Sequence, residues 1–190
     1  MAIVLASQSP RRQELLARIG VEDFKTLSLD IDESYPANLS PEDTVRFIAG
    51  KKSEAAAALC APDDLIITAD TMVFLGNDRL GKPQDEEDAF RMLRALSGER
   101  HTVCTGVSLR QGARYESFAV STAVYFRPMT DEEIRSYIKT GEPMDKAGAY
   151  GVQSRGALFV ERIDGDFFNV MGLPVEQLGL VLARFGVKLL

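Results

Sequence analysis

Short apolar runs rich in β-branched residues alternate along this chain with longer amphipathic stretches. The first run, Ile3–Ala6, is followed by Ser9-Pro10, a pair typical of a helix start because serine caps the helix and proline fits its first turn. Ser40-Pro41 repeats this signal before a second amphipathic stretch, and another apolar run, Leu65–Ala69, comes after it. Buried strands that alternate with helices in this way predict the α/β class with a mixed sheet.

The remaining pattern predicts further elements of both kinds. We expect helices near residues 10–19, 41–59, 85–96, 131–140 and 174–185, from their caps and apolar spacing. We expect strands near residues 3–6, 65–69, 101–109, 115–126, 158–163 and 167–171, the last four as two antiparallel hairpins. The glycine-rich segment 141–156 shows no regular pattern.

The composition limits the classes of protein that this chain represents. A length of 190 residues with 45% hydrophobic and 26% charged residues is typical of one globular domain. The net charge of −6 argues against non-specific binding to nucleic acid or to a membrane surface. Two cysteines and one histidine argue against a zinc site and favour a reducing compartment. Because the first apolar run is too short for a signal peptide and no run is long enough to span a membrane, we expect a cytoplasmic protein.

A strand-to-helix turn at Ser7–Arg12 places two adjacent arginines in the first turn of the predicted helix. A helix N-terminus presents backbone N–H groups and a partial positive charge, so it suits a phosphate group. Arg11 and Arg12 oppose that helix dipole unless an anion lies close to them. The turn therefore indicates a phosphate site without the pattern of a P-loop. The alternative is a pair of solvated surface arginines.

Two groups of acidic residues are candidates for chemistry. Asp70 follows the apolar run Leu65–Ala69, and a carboxylate at the carboxyl end of a central strand faces the crevice where α/β proteins bind ligands. The alternative is a turn aspartate. Asp30, Asp32 and Glu33 form the second group. Oxygen atoms of Asp70 and Glu33 are suited to a hard cation such as Mg²⁺ beside phosphates.

Several lysines lie in polar turns or on a predicted helix, namely Lys51, Lys52, Lys82 and Lys146. Each one alone is typical of a surface residue, but together with the acidic residues they resemble a metal–polyphosphate site. His101 lies in a strand pattern without the partners of a catalytic triad, so we expect a structural role for it. The residues by themselves do not identify a reaction.

The segments that carry a family resemblance are Leu5–Arg12, Ala69–Thr71, Gly81–Pro83, Leu96–Gly98, Gly141–Gln153 and Gly172–Pro174. Together they resemble the Maf family of nucleoside triphosphate pyrophosphatases, also called septum formation proteins. The resemblance covers nearly the whole chain and implies a single domain over 1–190. It implies a fold similar to that of inosine triphosphate pyrophosphatases, in which helices flank an elongated mixed sheet and two lobes enclose a central cleft.

The resemblance implies hydrolysis of a nucleoside triphosphate to its monophosphate and pyrophosphate with a divalent cation, Mg²⁺ or Mn²⁺. It implies that Asp70 is the proton acceptor and that Glu33 is a carboxylate on the metal side. Polar positions around the triphosphate match Ser7, Arg12, Lys52 and Lys82. Asp70 is also a candidate metal ligand, and the sequence leaves its role as base or as ligand open.

Three further positions concern the nucleobase that the site prefers. One subgroup of the family prefers dTTP and UTP and has Arg, Thr and Gln where this chain has Arg11, Thr71 and Gln153. A second subgroup prefers 7-methyl-GTP and has a Trp that suits a cationic purine, a cation that Arg11 would repel. Gln153 offers a donor and an acceptor, as the edge of uracil or thymine requires. Lys51 departs from the family, in which Glu or Gln often precedes the lysine matched by Lys52.

Two alternatives remain beside hydrolysis of dTTP and UTP. Modified pyrimidine triphosphates fit the same house-cleaning role, because one C5 methyl group changes discrimination by only about 1–3 kcal/mol. A non-catalytic nucleotide-binding regulator of septum formation would use the same site to restrain cell division without turnover. The resemblance also implies a homodimer.

Overall fold

The computed structural model describes residues 1–190. The strands are β1 (Ile3–Leu5), β2 (Phe24–Thr26), β3 (Leu65–Leu75), β4 (Asp78–Leu80), β5 (Arg100–Gln111), β6 (Arg114–Phe126) and β7 (Val160–Asp164). The α-helices are α1 (Pro10–Arg18), α2 (Pro41–Ala57), α3 (Glu86–Leu96), α4 (Asp131–Ile138), α5 (Phe167–Met171) and α6 (Val175–Arg184). Three short 3₁₀ helices are Glu142–Asp145, Ala147–Ala149 and Arg155–Phe159. None of the helices combines the length and the apolar character needed to cross a membrane.

All seven strands belong to one mixed sheet with the order β2-β1-β3-β5-β6-β7, and β4 pairs with β3. β1 is parallel to both of its neighbours, whereas β4 is antiparallel to β3 and β7 is antiparallel to β6. The predicted α/β class with a mixed sheet is confirmed.

Side-chain caps begin three of the helices, and two of these caps, Ser40 and Thr130, were predicted from the sequence. Thr130 and Glu133 form a complete capping box at the start of α4, since each side chain accepts a hydrogen bond from the backbone of the other residue. Ser40 and Asp85 cap α2 and α3 in the same local way, by accepting a hydrogen bond from a backbone N–H three residues on. Ser9 occupies the N-cap position of α1, but its side chain makes no capping hydrogen bond.

Two predictions about strands were wrong. The run Leu65–Ala69 does not end before Asp70, because β3 continues without a break to Leu75 and places Asp70 in its middle. Residues 167–171 form the helix α5 and not a hairpin arm, since the Asp166 carboxylate accepts a hydrogen bond from Phe168 N at 2.7 Å and starts a helical turn. The three-residue strands β2 and β4 were not predicted.

The chain forms two compact units. The first contains residues 1–70, 105–120 and 172–190, and the second contains residues 71–104 and 121–171. In the first unit, α2 approaches β5 so closely that a Cβ atom on Gly106 would lie 2.4 Å from the carbonyl carbon of Val45. Glycine at this position is therefore required by packing.

The second unit has an aromatic core. The rings of His101, Phe126 and Tyr150 pack edge to face with centroid separations of 4.7–5.5 Å, and Phe159 packs between Phe126 and Tyr137. His101 is buried, and its Nε2 atom lies 2.8 Å from the Tyr150 hydroxyl. The expected structural role of His101 is consistent with this packing.

Candidate active site

The first unit brings a lysine between two carboxylates. Lys52 Nζ lies 2.8 Å from Asp70 Oδ1 and 2.8 Å from Glu33 Oε1. The side chains of Lys52 and Asp70 are only 14% and 11% exposed, whereas that of Glu33 is 57% exposed. Because the Lys52–Asp70 pair lies largely out of water, its charges are screened less than those of a surface ion pair.

Local structure explains how α2 and β3 place this pair. Thr68, on β3, donates a hydrogen bond from its hydroxyl to the carbonyl of Ala49 on α2, at 2.7 Å. Lys52 lies three residues after Ala49, about one helical turn along α2, and Asp70 lies two residues after Thr68 on the same face of the strand. The two charged side chains therefore meet next to the buried hydrogen bond between Thr68 and Ala49.

The turn after β1 lies beside the part of β3 that leads to Asp70. Leu5 pairs with Ile67 in a parallel register, so the chain that follows Leu5 leaves the sheet beside the segment of β3 that leads to Asp70. Ser7 Oγ accepts hydrogen bonds from Ser9 N at 3.2 Å and from Arg12 Nη1 at 3.3 Å. The turn and the first turn of α1 are thereby joined through the Ser7 hydroxyl.

The Arg12 guanidinium is affected by burial and by the charges around it. Burial lowers the pKa of its guanidinium, and the positive charge of Arg11 acts in the same direction, whereas Asp70 and Glu33 act to raise it. Arg12 Nε also donates to the carbonyl of Gly172 at 2.8 Å. The structure therefore gathers Ser7, Arg11, Arg12, Glu33, Lys52 and Asp70, all of them predicted site residues, in one unit.

A residue outside the predicted site supports the loop that carries Glu33. Lys51 Nζ donates to the carbonyl of Ser34 at 3.0 Å and lies 3.6 Å from Asp32 Oδ2. We call residues 30–34 the acidic loop. Lys51 thus contacts the acidic loop on both sides of Glu33, and Lys52 contacts Glu33 itself.

Three predicted site residues belong to the second unit. Thr71 is the next residue of β3 after Asp70, so its side chain points to the opposite face of the sheet. Lys82 is exposed in the turn after β4, and the preceding carbonyl, of Gly81, accepts a hydrogen bond from Gly148 N at 3.0 Å. Gln153 is exposed in the loop between two 3₁₀ helices.

Lys146 is largely buried and pairs within the second unit. Its Nζ atom donates at 2.7 Å to the carbonyl of Glu142 and to Asp145 Oδ1. These contacts show that Lys146 supports its own loop. The Glu142 side chain, which the sequence did not single out, binds the loop that carries Gln153.

The donor set for a metal consists of carboxylate oxygens. No group of three or more His, Cys, Asp or Glu side chains is arranged to hold a metal ion. Asp70 and Glu33 nevertheless present one oxygen each to the same cation, the Lys52 ammonium. Mg²⁺ is usually held by one or two carboxylates together with substrate phosphates and water, so these two residues fit a cation that a phosphorylated substrate completes.

Comparison with known proteins gives concordant results. The sequence profile of a family described as Maf-like protein matches residues 2–185. A protein of Bacillus velezensis named dTTP/UTP pyrophosphatase is 47% identical over 98% of this chain and 97% of its own length. Proteins of the same name from Carboxydothermus hydrogenoformans and Bacteroides thetaiotaomicron are 47% and 46% identical, over 98% and 93% of this chain and 100% and 92% of their own lengths.

Two solved structures resemble this fold. The Ham1 protein of Staphylococcus aureus aligns with a TM-score of 0.54 and 15% identity over 97% of this chain and 100% of its own. A HAM1 protein of Coxiella burnetii aligns with a TM-score of 0.56 and 14% identity over 97% of this chain and 99% of its own. At this level of identity the likeness concerns the fold alone, and it supports the mixed α/β architecture.

Proposed function

Since the chain belongs to the Maf-like protein family, we propose that it is a nucleoside triphosphate pyrophosphatase that converts dTTP and UTP to the monophosphate and pyrophosphate. The relatives named dTTP/UTP pyrophosphatase match it over nearly their whole length. The family profile spans both compact units, which supports treating residues 1–190 as one functional domain.

The observation that carries the proposal is the Lys52 ammonium that Asp70 and Glu33 share, close to Arg12. Phosphoryl transfer depends on positioning the reacting groups and on stabilising the charge of the phosphate oxygens. This group of side chains contains cations that suit phosphate oxygens and carboxylates that suit a water molecule or a metal ion. Arg11 and Arg12 in the first turn of α1 add positive charge at a helix N-terminus, where phosphate binds well.

The chemistry that we assign to these residues is the hydrolysis of the α–β phosphoanhydride. A water molecule attacks phosphorus, the α–β bond breaks, and pyrophosphate leaves. Asp70 accepts a proton from the attacking water or orients it, while Lys52 and Arg12 hold negatively charged oxygens. Glu33 and Asp70 would bind a divalent cation, Mg²⁺ or Mn²⁺, which polarises phosphoryl oxygens when bound.

We assign selection of a pyrimidine base to Arg11, Thr71 and Gln153. Gln153 is exposed and carries both an amide donor and an acceptor, as the edge of uracil or thymine requires. Arg11 carries a positive charge that opposes a 7-methylguanine cation. Lys82, exposed in its turn, is assigned to the triphosphate.

The direct test is pyrophosphate release from a panel of nucleotides by the wild-type chain and by Asp70→Asn. We expect turnover of dTTP and UTP well above that of 7-methyl-GTP, and a loss of at least about 10²-fold in kcat for Asp70→Asn. Asp63→Asn is the matched control, since Asp63 is 70% exposed and pairs with the N-terminal ammonium.

The results that would contradict the proposal are specific. Turnover of 7-methyl-GTP without turnover of dTTP or UTP would refute the assigned base preference. Binding of UTP without any release of pyrophosphate would favour a nucleotide-binding regulator. Full activity of Asp70→Asn would remove Asp70 from the mechanism.

The metal assignment has a separate test that does not depend on activity. Mn²⁺ binding in the presence of UMP and pyrophosphate is measured by electron paramagnetic resonance for the wild type and for Glu33→Gln. We expect weaker Mn²⁺ binding by Glu33→Gln and no change for Asp63→Asn. Equal binding by all three proteins would exclude Glu33 as a ligand.

A further inference from the structure

Glu142 accepts hydrogen bonds from four donors, two side-chain hydroxyls and two backbone N–H groups. Its Oε1 atom accepts hydrogen bonds from the Tyr137 hydroxyl and from Ser154 Oγ, each at 2.7 Å, and from Gly156 N at 3.2 Å. Its Oε2 atom accepts from Arg155 N at 3.3 Å. Burial raises the pKa of Glu142, but these hydrogen bonds outweigh burial and the pKa is lowered, so the group is a firmly ionised acceptor.

The donors belong mainly to one loop. We call residues 151–156 the glutamine loop, because Gln153 lies in its middle. Three successive residues, 154–156, each donate to Glu142, and the start of the loop is fixed by Gly151 N, which donates to the Tyr137 hydroxyl at 3.1 Å. The pair Tyr137 and Glu142 therefore holds both ends of the glutamine loop.

Packing within the glutamine loop leaves it little freedom. A Cβ atom on Gly156 would lie 2.5 Å from the carbonyl oxygen of Gly151, so the two ends of the loop are in direct backbone contact. A Cβ atom on Gly151 would lie 2.8 Å from Lys146 Cε, and Lys146 itself is anchored to the carbonyl of Glu142. The loop is thus closed on itself and bound to the 3₁₀ helix that begins with Glu142.

We propose that Glu142, supported by Tyr137, is a positioning residue that holds Gln153 at the place where it reads the pyrimidine base. The inference rests on the proposed function, because it concerns the selection of the same substrate. The four donors to Glu142 are the hydroxyls of Tyr137 and Ser154 and two backbone N–H groups, and three of the four belong to the glutamine loop, so the role that we assign to Glu142 acts through the loop. Displacement of a substrate-binding residue by about 1 Å can lower the catalytic efficiency of an enzyme by about 10²-fold. A loop that is held in one position therefore binds the base more effectively than a mobile loop.

The experiment is a double-mutant cycle on the full chain with UTP as substrate. The proteins are the wild type, Glu142→Gln, Gln153→Ala and the double variant. The Glu142→Gln side chain keeps the size of glutamate but presents an amide group where one oxygen accepted a hydrogen bond. We expect KM for UTP to rise about tenfold in Glu142→Gln with kcat within about threefold of the wild type, and we expect this effect to disappear in the Gln153→Ala background.

Controls separate positioning from loss of structure. Glu133→Gln is the matched control, since Glu133 also accepts several hydrogen bonds, from Arg127 and Thr130, but binds the start of α4 and not the glutamine loop. We expect Glu133→Gln to lower Tm and to leave KM unchanged. If Glu142→Gln does not fold, Ser154→Ala removes one donor to Glu142 and should raise KM in the same direction by about two- to threefold.

The possible outcomes distinguish a failure of the proposed function from a failure of the positioning role of Glu142. A wild-type chain that releases no pyrophosphate from dTTP or UTP refutes the proposed function. An active wild type in which the two substitutions change KM independently refutes the positioning role of Glu142. The same conclusion follows if Glu142→Gln lowers Tm and leaves KM unchanged, since Glu142 would then stabilise the fold only.

Discussion

Protonation of His101 should destabilise the protein at mildly acid pH. Burial, with a smaller contribution from the charge of Arg100, lowers the pKa of His101 from 6.5 to about 4. The unfolded chain therefore binds the proton first as pH falls. The stability that neutral His101 contributes is fully present above pH 6.5 and is lost as pH falls from 6.5 through about 4.

The magnitude follows from the size of this shift. Since one pKa unit corresponds to about 1.4 kcal/mol, the free energy of unfolding should fall by about 2–3 kcal/mol between pH 7.5 and pH 4.5 through this residue alone. The geometry gives the reason, because Nε2 is engaged with the Tyr150 hydroxyl while buried Nδ1 has no hydrogen-bond partner. Whichever tautomer the neutral ring adopts, the imidazolium would carry an Nδ1–H group that is buried without an acceptor.

Urea denaturation at a series of pH values measures the effect, with His101→Gln as the reference that cannot titrate. Other groups change both proteins alike, so the difference between the two pH profiles isolates the histidine. His101 is the only histidine in the chain, and its ring resonance is therefore unambiguous in an NMR titration. Parallel pH profiles, or a folded-state ring that titrates near pH 6.5, would refute the reasoning.

Three further substitutions test other parts of the structure. Lys51→Gln removes the donor to the Ser34 carbonyl, so amide exchange in the acidic loop should accelerate and Mn²⁺ binding should weaken by about two- to fivefold; unchanged exchange would show that Lys51 does not hold the loop. Gly106→Ala should lower the free energy of unfolding by about 1–3 kcal/mol or more, because its Cβ atom collides with the backbone of Val45; a stable variant in urea denaturation would contradict this packing. Thr130→Ala removes the capping box of α4 and should cost about 1 kcal/mol in the same assay, and no change in the denaturation midpoint would contradict that role.

Elements with local signals could be predicted from the sequence, and α4 shows why. The capping box of Thr130 and Glu133 involves two residues in the same turn, so the sequence contains all of its partners. The continuation of β3 through Asp70 depends instead on a partner that is distant in the sequence. An ionised carboxylate in a buried strand is tolerated because Lys52 pairs with it, and nothing local to Asp70 indicates that pairing.

The candidate site likewise contains residues with a local sequence signal and residues without one. Arg11 and Arg12 were recognisable because they lie in the first turn of a helix, which is a local feature. The proposed role of Glu142 could not be predicted, because two of its four donors are backbone N–H groups of a loop, which any residue type supplies. A carboxylate that binds backbone leaves no compositional trace in the segment that it fixes.

The distribution of charge explains how a chain of net charge −6 suits an anionic substrate. Net charge governs long-range attraction to extended polyanions, whereas a bound triphosphate experiences the few groups around it. Among the candidate site residues of the first unit, the three cations Arg11, Arg12 and Lys52 outnumber the two carboxylates Asp70 and Glu33. Lys52 is mostly buried and so needs a counter-charge, which the two carboxylates supply in the absence of ligand. Under the proposed function, a triphosphate would take over that role and leave Glu33 and Asp70 to a divalent cation, so the same carboxylates would serve the site before and after substrate binds.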